Sequence, residues 1–335
     1  MPSNPRSAAR MIFFRLALCA CLPLIALAVA AGSEKHIHFT PTYSAGETLR
    51  YGIESRTMST GKTTTPIVNP EGGSQSTQLI HLVVRLDVLD VQPAAPAGPG
   101  TVHLRATYEK SSAESETDAY DPGASSLADQ YARIEGHSIE FAIDPSGKLS
   151  DVKGLEDIFP DRSAAQPALS WIDGLSSGGG FPSNGVAIGQ KWKTDRPIMG
   201  APLRDLTWHA ESTYLRDEPC NSPTAASVSA NQTKPSPASC AVILTRFEIS
   251  RRGSTHSDAT PDDYARNGLR TSGSWTGSGE SLDSISLSTG LLVSSTQTSK
   301  QDMDYQITSV TTGSSIHHVG QVQSQSEITL LPNQP

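Results

Sequence analysis

Apolar and polar residues alternate singly along much of this chain, a period of two that belongs to strands with one buried face. Leu49, Tyr51 and Ile53 show it first, and Ile80, Leu82, Val84, Leu86 and Val88 form the longest such run. Val102, Leu104, Ala106 and Tyr108 follow after the proline-rich stretch Pro93–Gly100, which reads as a loop because proline removes ladder donors. Ile139, Phe141 and Ile143 lead into the turn Asp144-Pro145-Ser146-Gly147, with Leu149 and Val152 on the return. In the second half Leu206, Trp208, Ala210 and Tyr214 share one face, then Ile243, Phe247 and Ile249. A Gly/Ser-rich strand through Trp275 and Leu282 reaches a hairpin at Gly290, and Leu292-Val293 returns. Two last strands run through Met303, Tyr305 and Ile307, and from Ile316 to Leu330, the latter rich in Ser and Gln. Hairpins, turns and alternation without a βαβ rhythm predict antiparallel pairing. Segments 58–77, 111–130 and 251–272 lack apolar alternation and read as long loops.

The strand pattern occurs twice. Gly46-Glu47-Thr48-Leu49 matches Gly189-Gln190-Lys191-Trp192 at an offset of 143, and Gly147 matches Gly290 at the same offset. Val102–Glu109 matches Ala241–Glu248 at 139. Three matches in one order at nearly one offset predict an internal duplication. The expected fold is mainly β, with two related antiparallel curved sheets or half-barrels, packed face to face or around a helix.

That helix is the one convincing helical stretch. Ala165, Leu169, Ile172 and Leu175 recur at helical spacing, with Ser163 as N-cap and Gly178-Gly179-Gly180 as terminator. The expected organisation is therefore a leader at 1–31, a first β half at 32–160, a linker helix at 161–180 and a second β half at 181–335. The helix serves either as packing that covers an open side of a sheet or as a lid over a ligand cavity; its stripe does not separate the two.

The leader reading rests on Arg6, Arg10 and Arg15, an apolar run from Leu16 to Ala31, and Ala28-Val29-Ala30 as a cleavage signal. That run of 16 residues is shorter than the roughly 20 needed to span a bilayer. Export to the periplasm or medium is expected, with no transmembrane span in the mature chain. Removing three arginines takes the formal net charge from −8 to −11. No basic cluster remains to track a phosphate backbone, so nucleic acid is excluded as a partner. Of four cysteines, Cys19 and Cys21 lie in the leader. Cys220 and Cys240 bracket a Ser/Pro/Ala/Asn-rich loop and read as a disulfide in an exported chain. A redox or metal role lacks the Cys-x-x-Cys spacing.

The segment Phe181-Pro182-Ser183-Asn184-Gly185-Val186-Ala187-Ile188-Gly189-Gln190-Lys191-Trp192 resembles a group of exported bacterial proteins of unknown function. That group carries a Pro-x-x-x-Val-x-hydrophobic-Gly-x-x-Trp segment after a short helix. The turn Ile143-Asp144-Pro145-Ser146-Gly147 and the strand Gly277-Ser278-Gly279-Glu280-Ser281-Leu282-Asp283 are similar to two further motifs of the group. The resemblance spans about residues 43–310 and implies a β-rich envelope or secreted protein, with no reaction attached.

Catalytic signatures are missing. There is no Gly-x-Ser-x-Gly, no phosphate-binding Gly-x-x-x-x-Gly-Lys-Ser/Thr loop, and no pair of carboxylates on neighbouring strand positions. His36, His38, His317 and His318 would form a metal site only if the termini met. Asp258, Asp262 and Asp263 lack the rhythm of a calcium loop, and Asn231-Gln232-Thr233 is a glycosylation sequon by pattern alone. Trp171, Trp192, Trp208 and Trp275 either anchor the core or line a groove. The expectation is a protein without cofactor or metal that is not an enzyme and that binds a hydrophobic ligand or an envelope protein. A structural or adhesive surface module is the alternative, as is a hydrolase whose site is assembled from loops.

Overall fold

The computed structural model describes residues 36–64, 73–94, 98–118, 124–144, 147–158, 180–198, 200–220, 238–251 and 258–332. The leader and nearly all of the linker helix lie outside these residues, as do Trp171 and the glycosylation sequon.

The first half contributes β1 (Thr48–Thr64), β2 (Ser74–Ala94), β3 (Gly98–Thr117), α1 (Ala124–Ile134), β4 (Ser138–Ile143), β5 (Leu149–Lys153) and α2 (Leu155–Ile158). The second contributes β6 (Lys191–Pro197), β7 (Leu206–Pro219), β8 (Ser239–Arg251), α3 (Asp262–Arg266), β9 (Leu269–Ser286), β10 (Leu292–Ser309) and β11 (Ser315–Leu331). All eleven strands join one antiparallel sheet in the order β5-β4-β3-β2-β1-β11-β10-β9-β8-β7-β6. The mainly β, antiparallel character expected from the alternation is what the chain adopts. The halves are joined edge to edge by pairing of β1 with β11, from Arg50–Leu331 to Thr64–His317, instead of lying as separate sheets face to face.

The repeat has an atomic counterpart. At the start of β1 the Gly46 N–H donates to Val88 O, Glu47 N to Ser44 O, and Ser44 N to the Glu47 carboxylate. At the start of β6 the Gly189 N–H donates to Tyr214 O, Gln190 N to Ala187 O, and Ala187 N to the Gln190 side chain. Both glycines have positive φ, 80° and 84°, which an L side chain adopts only at a cost. The matched segments occupy the same ordinal strands, β1 with β6 and β3 with β8, and Gly147 and Gly290 close the β4–β5 and β9–β10 hairpins. The meander β1–β5 is thus repeated in β6–β10, displaced along one sheet, with β11 inserted between them.

One face, here the inner face, carries Tyr51, Val84, Leu104 and Ile243, all nearly inaccessible. These belong to a single apolar cluster that also includes Tyr214, Ile285 and Leu292, so both halves share it. In a flat sheet β3 and β8 would stand about 29 Å apart at the usual strand spacing. Their joint core requires the sheet to curl at this end. The chain's own segments fill the curl. Ile37 and Val186 exchange backbone hydrogen bonds of 2.9 Å, Thr42 N donates to Thr289 O, and Phe39 lies 4.8 Å from Phe181 and 5.6 Å from Tyr214 by ring centroids. A smaller cluster of Ala201, Leu203, Leu206, Ile249 and Ala259 covers the opposite end of β7 and β8.

Three expected loops are in part regular structure. Residues 58–64 extend β1, 74–77 begin β2, 111–117 extend β3, 124–134 form α1, and 269–272 open β9. These strand ends are rich in Ser, Thr and Gln and bury no apolar stripe. Their extended form comes from ladder pairing to neighbours and from the fit of threonine to a pleated surface. Pairing also reaches into the proline-rich stretch, where Ala94 faces Gly98 and Pro93 falls at a register shift that asks for no donor.

Candidate functional site

Beyond the apolar end, the two faces of the sheet diverge in chemistry. On the inner face Ser55, Ser326, Gln297, Ser281, Thr245 and Ser212 stand opposite one another across β1, β11, β10, β9, β8 and β7. The next row outward holds Thr57, Ser324, Ser299, Gly279 and Phe247. Cross-strand hydroxyls bond in pairs, Ser299 with Ser324 at 2.7 Å, Ser212 with Thr245 at 2.8 Å and Ser59 with Ser76 at 2.7 Å. Along β1, β2, β3, β9, β10 and β11 the inner positions carry no Lys, Arg or Glu; Asp283 and His318 are their only ionisable groups apart from tyrosines.

Aromatic side chains use gaps left by glycine. A Cβ at Gly279 would sit 2.4 Å from the Phe247 ring, and one at Gly277 would sit 3.3 Å from the Ile249 side chain. The Gly-x-Gly of β9 therefore lets residues of β8 lie across the neighbouring strand. Trp208 packs on Phe247 at 5.3 Å, and Trp275 stacks on Tyr305 at 6.4 Å, its Nε1 donating to Gln301. Tyr305 in turn lies 5.2 Å from the His318 ring. Burial, and then neighbouring His317, hold the His318 pKa below its ordinary value. Trp192, Trp208 and Trp275 all pack against the apolar clusters, which is the anchoring role.

The outer face is crowded with charge in register. Lys193, Glu211, Arg246 and Glu280 alternate in sign across β6–β9, and Asp195, His209 and Glu248 form the adjacent row. With Lys300 and Gln323 they floor an open trough of about 980 Å³. The charges compensate one another: Lys191 meets Glu211 at 2.9 Å, His209 meets Asp195 at 2.8 Å and Arg246 meets Glu280 at 3.8 Å. A hydrogen bond from Lys191 holds the Glu211 pKa below its ordinary value. Exposed pairs of this kind stabilise little, but a slipped register would set like charges together. The trough is best explained as a register device.

The motif Phe181–Trp192 is structural. Phe181 lies 5.5 Å from the Trp192 ring, and Trp192 Nε1 donates to Gly180 O at 2.8 Å. Val186 is fully buried and bridges to the N-terminal segment, and Gly189 forms the repeated turn. Cys220 and Cys240 form a disulfide with Cα atoms 5.0 Å apart.

The histidines do not converge. His36 contacts Gly185 O beside the apolar end, whereas His317 and His318 lie on β11 where it pairs with the last residues of β1. His318 meets the Thr63 hydroxyl at 3.0 Å and His317 meets Asp304 at 2.7 Å, on opposite faces of β11. No hydroxyl–imidazole–carboxylate chain forms there. Asp258 accepts from Thr260 and pairs with Arg270. Among the described residues no group of three His, Cys, Asp or Glu is placed to hold a metal, and no helix is long and apolar enough to cross a membrane.

No family model matches this chain, and no curated protein matches it. Among solved structures it is similar to one described as lipid–protein interactions in lipovitellin, with a TM-score of 0.42 and 10% identity over 88% of this chain. The chain spans 26% of the lipovitellin chain, and a likeness this loose decides neither fold nor ligand. The candidate site is therefore defined by its own chemistry. It was not visible beforehand because the inner rows are Ser, Thr, Gly and Gln, which in sequence resemble loop.

Proposed function

We propose that this chain is an exported, non-catalytic binding protein that lays a ligand with an uncharged body along the inner face of its sheet. The observation that supports this reading is the segregation of charge: the outer positions of the strands carry paired ions, while along β1, β2, β3, β9, β10 and β11 the inner positions carry hydroxyls, amides, glycines and apolar side chains, with Asp283 and His318 the exceptions. A neutral or apolar ligand loses no ion hydration by contacting such a surface. The filled apolar end acts as the base on which the open rows stand, and the Cys220–Cys240 disulfide is compatible with export. Native mass spectrometry and solvent extraction of the protein purified from its own envelope fraction test the proposal. A stoichiometric neutral or amphiphilic ligand is expected. A clean chain that takes up no such ligand, yet captures one envelope protein, would favour the surface-module reading instead.

A further inference from the structure

Along β1, β2, β3, β9, β10 and β11 the inner face has one carboxylate, and it is placed between the apolar end and the hydroxyl rows. Asp283 on β9 stands opposite Ile243 of β8 and Ser295 of β10. Ser295 Oγ donates to its Oδ1 at 2.6 Å and Ser281 Oγ to its Oδ2 at 3.1 Å. Each oxygen thus keeps acceptor capacity, and the side chain is partly exposed. Among the described residues no cation is paired with it. The titratable side chains on the same face of nearby strands are the carboxylate of Asp217, held by the Tyr214 hydroxyl, and the phenols of Tyr51 and Tyr214, both uncharged and both with pKa values raised by burial. Their hydroxyls are engaged elsewhere, with Leu292 O and Asp217. His318 lies ten residues from Ile328 along β11, and Ile328 flanks Ser295 in register.

We propose that Asp283 anchors a ligand that carries a protonated amine on an apolar body. This rests on the inner face being the ligand surface, and adds the chemistry of the head group. An ammonium donates to the free acceptor sites of both oxygens and supplies the missing positive charge, while the body lies across uncharged rows. A carboxylate head would meet like charge, and an alcohol would gain one ordinary hydrogen bond. Burial holds the Asp283 pKa above the ordinary carboxylate range, against the lowering effect of the two serines. Proton and ammonium therefore compete for the same oxygens.

The test measures binding of dodecylamine, dodecanol and dodecanoate to the full protein, below micelle formation, by calorimetry. Dodecylamine should bind about tenfold or more tighter than dodecanol, as expected for a charged hydrogen bond over a neutral one. Asp283→Asn should abolish that preference, bringing dodecylamine binding down to about that of dodecanol. In the unaltered protein the preference should shrink as pH falls and Asp283 protonates, a readout that needs no variant to fold. Equal binding of amine and alcohol, or a preference that survives Asp283→Asn, overturns the anchor and leaves the inner-face reading standing. Failure of all three probes to bind overturns both.

Discussion

Substituting Phe39 by alanine probes whether the N-terminal segment is part of the core or merely rests on it. Phe39 is 3% exposed and contacts two other aromatic rings within the apolar cluster. Removing a buried phenyl ring costs about 3–5 kcal/mol through lost transfer energy and a residual cavity. The ring pairs contribute roughly 0.5–1.5 kcal/mol each, already contained within that range. The backbone exchange between Ile37 and Val186 should survive, so the strap stays attached and the upper end of the range is not expected. A loss of about 3 kcal/mol is the predicted value. Urea unfolding followed by tryptophan fluorescence measures it, since Trp192 reports on the same cluster through Phe181. Thr40→Ala, at an exposed neighbour, is the control and should change stability by less than about 0.5 kcal/mol. A Phe39→Ala loss below about 1 kcal/mol would refute the reasoning, because the segment would then contribute nothing to the curled end.

Three further predictions follow from separate features. Gly46→Ala and Gly189→Ala place a methyl group where no heavy atom lies within 4 Å, so each should cost only the left-handed backbone penalty of about 1–2 kcal/mol, and by equal amounts in thermal unfolding; values differing by more than that penalty would contradict the repeated turn. Replacing Cys220 and Cys240 by serine opens a link across 20 residues and should lower stability by about 3 kcal/mol in denaturant titrations; an unchanged midpoint would contradict it. Asp283 has a folded pKa above its unfolded value, so its contribution is fully present below the ordinary carboxylate range and is lost as pH rises through the folded value. Asp283→Asn should therefore gain on the unaltered protein as pH rises through that window, and parallel stability curves would show that Asp283 is not desolvated.

The apolar half of each strand was legible in the sequence because burial demands period two, as in Ile80–Val88 and Val102–Tyr108. The repeat was legible because its turn needs glycine at a positive φ in both copies. What stayed hidden was the polar half. Ser55, Thr57 and Ser59, or Gln297 and Ser299, have no apolar partner to mark a face, so their strand character depends on pairing with chain far away, as β1 does with β11. That pairing also decides that the halves form one sheet, which no local pattern records. The motif Phe181–Trp192 holds the apolar end together, whereas Trp208 and Trp275 pack against the smaller cluster at the other end of β7 and β8. The charge segregation that defines the candidate site becomes visible only when register sorts alternate residues onto two faces.

Gln323 and Ser324 are neighbours on β11 that point to opposite faces, and they test the central claim most directly. Binding of a neutral alkyl probe such as dodecanol should be lost or weakened at least about tenfold by Ser324→Lys, which sets an ion among uncharged rows, and left unchanged by Gln323→Lys on the charged outer face. Equal effects of the two substitutions, or a loss confined to Gln323→Lys, would contradict the assignment of the inner face as the ligand surface.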